Sequence, residues 1–432
     1  MAIATRDDLT PQLGLVADAP LRGDAPRRRA SSGRERIAIL STWHPEPVDN
    51  GRKQRTRQMI AALAERYDVA LISLLPAHEL EAGAPAPVPG VWQQWALPLP
   101  VFETRAWPAL LAAAHPWPRS IVATWSARVA RRIDDLLVAC GVRLAIGTDL
   151  RTLRYLLALD PTVSTVLDEP DVSPFVVAGG VNPLGRLRSR SRREKYRRLL
   201  GETTTRLGAT VVASTEEAQA YRTLSGAGPI AVIENGIAAL PTEPWRPTKS
   251  GQLLYTGSLT YRPNVEAVAY FAEAIWPRLS HFPEIELVVT GTRPERQPAI
   301  ARHPAVRLTG WLAAADLAAT YRAARACVVP LQSGTGTRIK ILEALAYGIP
   351  VVTTSKGAEG LSVVDGEHLV IADSPADFAA ATLRIIRDDE YAAQLGVRGR
   401  EFVCRHCSWE TRGAQLRELV GRVLDSAPRV TR

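Results

Sequence analysis

Residues Leu331 to Val352, LQSGTGTRIKILEALAYGIPVV, place Gly334 and Gly336 in front of an amphipathic segment and surround them with hydroxyl and basic side chains. The apolar run ending at Leu331 predicts a buried parallel strand. Ile339, Leu342, Leu345 and Ala346 then recur at helical spacing, and Gly348-Ile349-Pro350 supplies a stop. A strand, a glycine loop and a helix N-terminus in that order form an anion site, because the first-turn N–H groups and the helix dipole point at the loop and glycine lets a ligand come close. Arg338 and Lys340 add formal charge, and the backbone from Gly334 through Thr335 and Gly336 to Thr337 would cradle the guest. Glu343, about one turn further on, is too acidic to hold phosphate but suits the paired hydroxyls of a sugar. Phosphate at one end and polyol at the other describe a nucleotide sugar. An ordinary strand-to-helix connection with an exposed glutamate is the plainer alternative.

Other loops repeat this chemistry more weakly. Asn50-Gly51-Arg52-Lys53 offers a turn glycine and two cations before a helix. Thr256-Gly257-Ser258 ends an apolar run, with Arg262 close behind, whereas Asn235-Gly236 reads as a turn. Asp149, after VRLAIGT, is either a cleft group or a helix cap. Asp168, Glu169 and Asp171 in VLDEPDVSP are candidates for contact with a second substrate. Paired carboxylates would otherwise invite a metal or acid/base reading, but no histidine ligand stands near them. His44 could reach the cleft too, although a loop histidine is more often only solvated. Cys404-Arg405-His406-Cys407 has zinc-like spacing without a second pair, so no metal ligand is assigned.

These loops need a scaffold, and the chain is long enough to supply two cores. It has 432 residues, is 46% hydrophobic and 22% charged, and carries a net charge of +9, which points to an acidic partner. Its four scattered cysteines give no disulfide framework and fit a reducing cytoplasm. Residues 1–35 read as a polar basic tail without the apolar segment of a secretory signal. Residues 82–102, uncharged but rich in proline, make a poor membrane helix. From Arg36 a β-α-β pattern runs to about residue 238, residues 239–252 read as a proline-rich linker, and the pattern restarts over 253–406. Two such α/β halves leave a cleft between them, the default ligand position.

Taken together, LLYTGSLTYRPNVEAVAYFAEAIWP, VRLTGW, the opening stretch with its continuation to GAEGL, and CSWE closely resemble the C-terminal domain of GT-B glycosyltransferases of the large family 4 group. RIAILSTWHPEPVDNGRKQRTRQMIAAL, VVASTEEAQAY and VIENGI resemble its first domain more weakly. The resemblance implies two facing Rossmann-like domains, with residues 36–238 on the acceptor side, 253–406 on the nucleotide-sugar side, and a final helix in 407–432 crossing back. It implies retaining transfer of a sugar from a UDP- or GDP-sugar to a glycan, lipid-linked or small-molecule acceptor, without an obligatory metal or other cofactor. Arg262 and Lys340 would neutralise the diphosphate, Glu343 would bind the ribose, and Gly51, Gly257, Ser258, Gly334, Thr335, Gly336, Thr337 and Arg338 would line the donor. One feature departs from the pattern: eight positions before Glu343, where the family carries its first glutamate, stands Thr335. A nucleotide-sugar epimerase or isomerase on the same fold, or a non-catalytic binding module, are the alternatives.

GRLRSRSRREKYRRLLGETTTRL carries eight Arg or Lys residues between Arg186 and Arg198, opposed by Glu194 alone. A basic helix in the acceptor half suggests an anionic membrane surface, hence a cytoplasmic protein peripheral to the inner face of the membrane. No aromatic platform or nucleic-acid motif accompanies the charge, so nucleic acid is not an expected partner.

Overall fold

The computed structural model describes residues 33–100, 115–168, 183–226, 228–238, 241, 243, 245–291, 303–304, 306–334 and 338–426. Of the residues singled out above, Glu169, Asp171, Thr335, Gly336, Thr337 and nearly all of the basic tail lie outside the described residues.

The first sheet is parallel throughout. Its strands are β1 (Arg36–Ser41), β2 (Asp68–Leu75), β3 (Val91–Pro98), β4 (Leu144–Gly147), β5 (Ser164–Asp168), β6 (Ala209–Val212) and β7 (Ile230–Val232), in the spatial order β3-β2-β1-β4-β5-β6-β7. Strands such as Ile37-Ala38-Ile39-Leu40 are fully buried because helices cover both faces, which is why they read as continuous apolar runs. One face packs Leu40, Ile72 and Leu167, and the other packs Ile39, Leu71 and Val166. The covering helices include α1 (Gly51–Ala64), α2 (Ala127–Ala139), α3 (Pro183–Thr203) and α4 (Thr215–Ser225).

The second sheet, also parallel, comprises β8 (Gly251–Thr256), β9 (Ile285–Thr290), β10 (Val306–Gly310), β11 (Ala326–Val329), β12 (Val351–Thr353) and β13 (Val370–Ile371), in the order β10-β9-β8-β11-β12-β13. Its principal helices are α5 (Arg262–Tyr270), α6 (Ala314–Ala323), α7 (Ile339–Tyr347), α8 (Pro375–Arg387) and α9 (Asp389–His406). In each sheet the winding reverses once, between β1 and β4 and between β8 and β11, and the loops after those strands form the switch-point crevice of a doubly wound sheet.

The chain passes between the sheets near Ile237, whose N–H donates to Cys407 O (2.7 Å), while Trp409 N donates back to Ile237 O (3.1 Å). Both crossings therefore share one short backbone bridge. The last helix, α10 (Trp409–Ser426), then lies on α1 of the first domain. A Cβ at Gly413 would come within 2.7 Å of Ala62 Cβ, and Leu416, Val420, Val423 and Leu424 join the first domain's core. Burying four such side chains contributes on the order of 6–12 kcal/mol to that docking, at about 1.5–3 kcal/mol each.

Candidate active site

Helices α1 and α7 begin at the two switch points and meet across the cleft. A Cβ on Gly51, the first residue of α1, would lie 3.0 Å from Ile339 Cδ1, the first residue of α7. Only glycine permits that approach without a shift of Ile339. Asn50 caps α1 by accepting a hydrogen bond from Lys53 N (3.1 Å), and Lys53 pairs with Asp49 at 3.2 Å. The positive ends of both dipoles thus face the same region. Arg338 caps the backbone of α7 from a buried position, and its Nη2 donates to Gly334 O (2.9 Å), bracing the glycine loop. Removal of water holds the Arg338 pKa below its ordinary value.

Lys340 lies beneath Gly257. Its ammonium donates to Tyr255 Oη and to Asn264 Oδ1, both at 2.8 Å, and sits 4.0 Å from the centre of the Tyr255 ring. Burial lowers its pKa to about 7, with Arg338 acting in the same direction and Cys327 and Glu343 opposing. Gly257 has φ +153°, and a Cβ there would stand 2.7 Å from both Lys340 Nζ and Asn264 Nδ2. A side chain at this position would press directly on the ammonium.

Glu343 follows Lys340 by three residues on α7 and shares its face. Tyr321 Oη donates to Glu343 Oε2 (3.2 Å), Tyr321 stacks on Tyr347 with centroids 4.5 Å apart, and Gln54 of α1 hydrogen-bonds the same carboxylate from across the cleft. Desolvation raises the Glu343 pKa, opposed by those hydrogen bonds and by Lys340. A half-buried carboxylate flanked by hydroxyl and amide donors can exchange them for the hydroxyls of a sugar.

Arg262 does not join Lys340 in the interior. Its side chain is 88% exposed and paired with Glu266 at 2.6 Å, the i,i+4 geometry of a helix surface. Glu266 also accepts from Ser333 Oγ (2.6 Å), and a Cβ at Gly334 would touch Pro263 and Tyr261, so Arg262 stands at the mouth of the glycine loop. Ser258 lies on the same rim, and its carbonyl accepts from Asn264 Nδ2 (2.8 Å).

Three first-domain candidates are explained by local structure. Asp149 is a cap: its Oδ1 accepts from Arg151 N (2.8 Å) and Thr152 N (3.3 Å), while Oδ2 accepts from Thr42 Oγ1 (2.6 Å) and pairs with Arg151 (2.7 Å). These contacts tie the loops after β1 and β4 together. Asp168 is 2% exposed and is taken up by a bidentate pair with Arg55, Oδ2 to Nε at 2.9 Å and Oδ1 to Nη2 at 2.7 Å. Both of its oxygens are thereby occupied. Arg55 Nη1 also donates to Asn235 Oδ1 (2.8 Å) and Ile233 O (3.1 Å), which joins α1, β5 and the domain crossing in one buried network. His44 is 8% exposed, with Nδ1 3.2 Å from Ser73 Oγ and Nε2 2.8 Å from Ala86 O, so it packs under the loop instead of reaching the cleft. Among the described residues no three or more His, Cys, Asp or Glu side chains are grouped to hold a metal.

Sequence reasoning missed Tyr255, Asn264, Tyr321 and Gln54. Tyr255 and Tyr321 read as core aromatics, and Gln54 reads as helix surface. It also missed a cavity of about 710 Å³ beside the crossing, lined by charged residues of α9 and α10 that include Arg398, Arg405 and Arg412. The spacing of Arg398 and Arg405 on one helical face was the available signal.

Residues 250–388 match the family described as "Glycosyl transferases group 1". A glycogen synthase of Mycobacterium tuberculosis is 34% identical over 199 residues, 43% of this chain and 47% of the relative. A phosphatidyl-myo-inositol mannosyltransferase of Mycolicibacterium smegmatis is 28% identical over 196 residues, 43% of this chain and 50% of the relative. The chain thus spans about half the length of the curated relatives it matches. Among solved structures, sucrose-phosphate synthase from Thermosynechococcus elongatus superimposes with a TM-score of 0.64 at 18% identity over 91% of this chain and 100% of the other. HepE from Anabaena, in complex with UDP and glucose, superimposes with 0.60 at 14% identity over 90% and 100%. The chain has the GT-B fold of two facing Rossmann-like domains, and its segment 250–388 matches the group 1 glycosyl transferases.

Proposed function

We propose that the protein is a retaining, family 4-like glycosyltransferase that transfers a sugar from a UDP- or GDP-sugar to a glycan, lipid-linked or small-molecule acceptor. The observation that carries this reading is the convergence of two helix N-termini on one region, with the Lys340 ammonium behind it and the Glu343 carboxylate one turn deeper. A nucleoside diphosphate gains negative charge as the glycosidic bond breaks. Lys340, the α1 and α7 dipoles and Arg262 at the mouth would stabilise that charge, and no metal is needed for it. The segment from Gly334 through Thr335, Gly336 and Thr337 to Arg338 would contact the sugar and phosphates together with Gly51, Gly257 and Ser258. Glu343 would take the ribose hydroxyls in place of Gln54 and Tyr321. The matched relatives, named as sugar polymer and glycolipid enzymes, support a glycan or lipid acceptor.

The acceptor is assigned to the first domain. There α3 carries exposed Arg186, Arg188, Arg190 and Arg192 beside an exposed Leu187, and these would rest on an anionic membrane surface. No described helix is long and apolar enough to cross a membrane. The free cysteines are consistent with a reducing compartment.

The test is to incubate the protein with UDP-, GDP- and ADP-sugars and methanol as a surrogate acceptor. Nucleotide release is followed, and proton NMR reads the anomer of the methyl glycoside. Release that depends on Lys340, with a product of the donor's configuration, supports the reading. An inverted product contradicts retention, and no release with any donor contradicts catalysis.

A further inference from the structure

We propose that Tyr255 and Asn264 are positioning residues that hold the Lys340 ammonium against the loop Gly257-Ser258, with one of its three N–H groups left for the diphosphate of a nucleotide sugar. This rests on the diphosphate site proposed for the cleft. Three contacts of 2.8 Å close a triangle: Lys340 Nζ donates to Tyr255 Oη and to Asn264 Oδ1, and Tyr255 Oη donates to Asn264 Oδ1. Asn264 is anchored in turn, because its Nδ2 donates to Ser258 O (2.8 Å), and Tyr255 is fully buried in β8. The ammonium therefore sits at the end of two rigid supports instead of a free four-carbon stem.

The chemistry of the supports matters as much as their position. Both are neutral acceptors, so they orient the ammonium without cancelling its charge. A carboxylate at residue 264 could still accept from the ammonium, but it would lose the donor to Ser258 O and would neutralise the cation that a diphosphate requires. The titratable or charged groups facing Lys340 are Tyr255 on β8, Cys327 on β11, and Arg338 and Glu343 on its own turn of chain. Of these only Glu343 is a carboxylic acid, and its carboxylate is already bonded by Tyr321 and Gln54. A diphosphate meeting the ammonium would favour its protonated form, so binding would take up a proton.

The experiment measures affinities for UDP-glucose, GDP-mannose and ADP-glucose by calorimetric titration between pH 6 and 9, with a thermal melt for each variant. Wild-type affinity is expected to fall about tenfold per pH unit above about 7, as for a group that must be protonated to bind. Lys340→Met should bind weakly at every pH. Tyr255→Phe, which keeps the ring, should weaken binding about 3- to 10-fold, as expected for one hydrogen bond. Asn264→Asp should weaken binding at pH 6.5 and shift the pH midpoint upward by a unit or more, since a carboxylate beside the ammonium keeps it charged. A structural role alone would lower melting temperatures and leave affinities and pH midpoints of the folded variants unchanged, and that result overturns the proposal. If the wild type binds none of the nucleotide sugars, the diphosphate reading fails. Lysine-selective NMR of the Nζ titration then judges the triangle alone: a midpoint that rises from wild type to Asn264→Asp supports it, and an unchanged one overturns it.

Discussion

Replacing Asp168 by alanine separates two roles for that carboxylate, contact with an acceptor and support of the cleft floor. Both Asp168 and Arg55 have side chains about 3% exposed, and two parallel hydrogen bonds join them. Removing the carboxylate takes the bidentate counter-charge from a buried guanidinium that also donates to Asn235 and Ile233, and breaking a buried pair this way costs about 3–5 kcal/mol. For a domain of some 200 residues each kcal/mol moves the melting temperature by about 2–4 °C, so the first domain should melt roughly 6–20 °C lower. Differential scanning calorimetry reads this directly, with circular dichroism as the control for folding at the assay temperature. The double variant Arg55→Met with Asp168→Leu should recover much of the loss, because a buried ion pair exchanged for apolar side chains is often close to neutral. An Asp168→Ala protein that melts within about 2 °C of wild type would refute the reasoning, because such a shift corresponds to no more than about 1 kcal/mol. If that protein had also lost transfer activity, Asp168 would be an acceptor contact after all.

Two further outcomes follow from the donor side. Lys340→Met should raise the melting temperature of the ligand-free protein at pH 6–7 while weakening nucleotide binding. The folded-state pKa of Lys340 is depressed to about 7, so the cost of its buried charge is fully present below that pH. The cost fades as pH rises toward the ordinary lysine value, and the gain from Met should shrink in step; a gain that grows with pH would contradict this. Gly257→Ala must accommodate φ +153° and a Cβ 2.7 Å from Lys340 Nζ, so about 5- to 150-fold weaker nucleotide binding is expected in calorimetric titration, through about 1–3 kcal/mol of local strain. Unchanged binding would mean that the loop does not bear on the ammonium.

What the sequence disclosed and what it hid divide along the range of the interactions. The β-α-β alternation is local, so both sheets could be anticipated, and fully buried strands announce themselves as apolar runs. Lys340 and Glu343 could be paired in advance because three residues on a helix share a face. The cap at Asp149 was legible as one of two alternatives, since an N-cap bonds to residues two and three positions on. The pairing of Asp168 was hidden because its partner lies 113 residues away, and no local pattern shows that α1 passes over β5. The burial of His44 was hidden for the same reason, its partners being 29 and 42 residues distant. Arg262 was placed near the loop, but its i,i+4 pair with Glu266 fixes an outward direction that spacing from Gly257 alone does not reveal. Tyr255 could not be told from a core residue, because in a strand buried on both faces every side chain looks like core, and its hydroxyl finds its partners Asn264 and Lys340 only when α5 and α7 are packed beside it.

The central claim is that Glu343 receives the ribose of a nucleotide whose diphosphate lies between the starts of α1 and α7. The most direct measurement is a cycle of four affinities, in which the preferred nucleoside diphosphate and its 2′,3′-dideoxy analogue are each titrated into wild type and Glu343→Gln. Hydrogen bonds to a charged group contribute about 1.5–3 kcal/mol, so the wild type should lose roughly 10- to 150-fold in affinity when the hydroxyls are removed. The variant should lose far less, since the coupling resides in the pair. An equal loss in both proteins would place the ribose elsewhere and contradict the account.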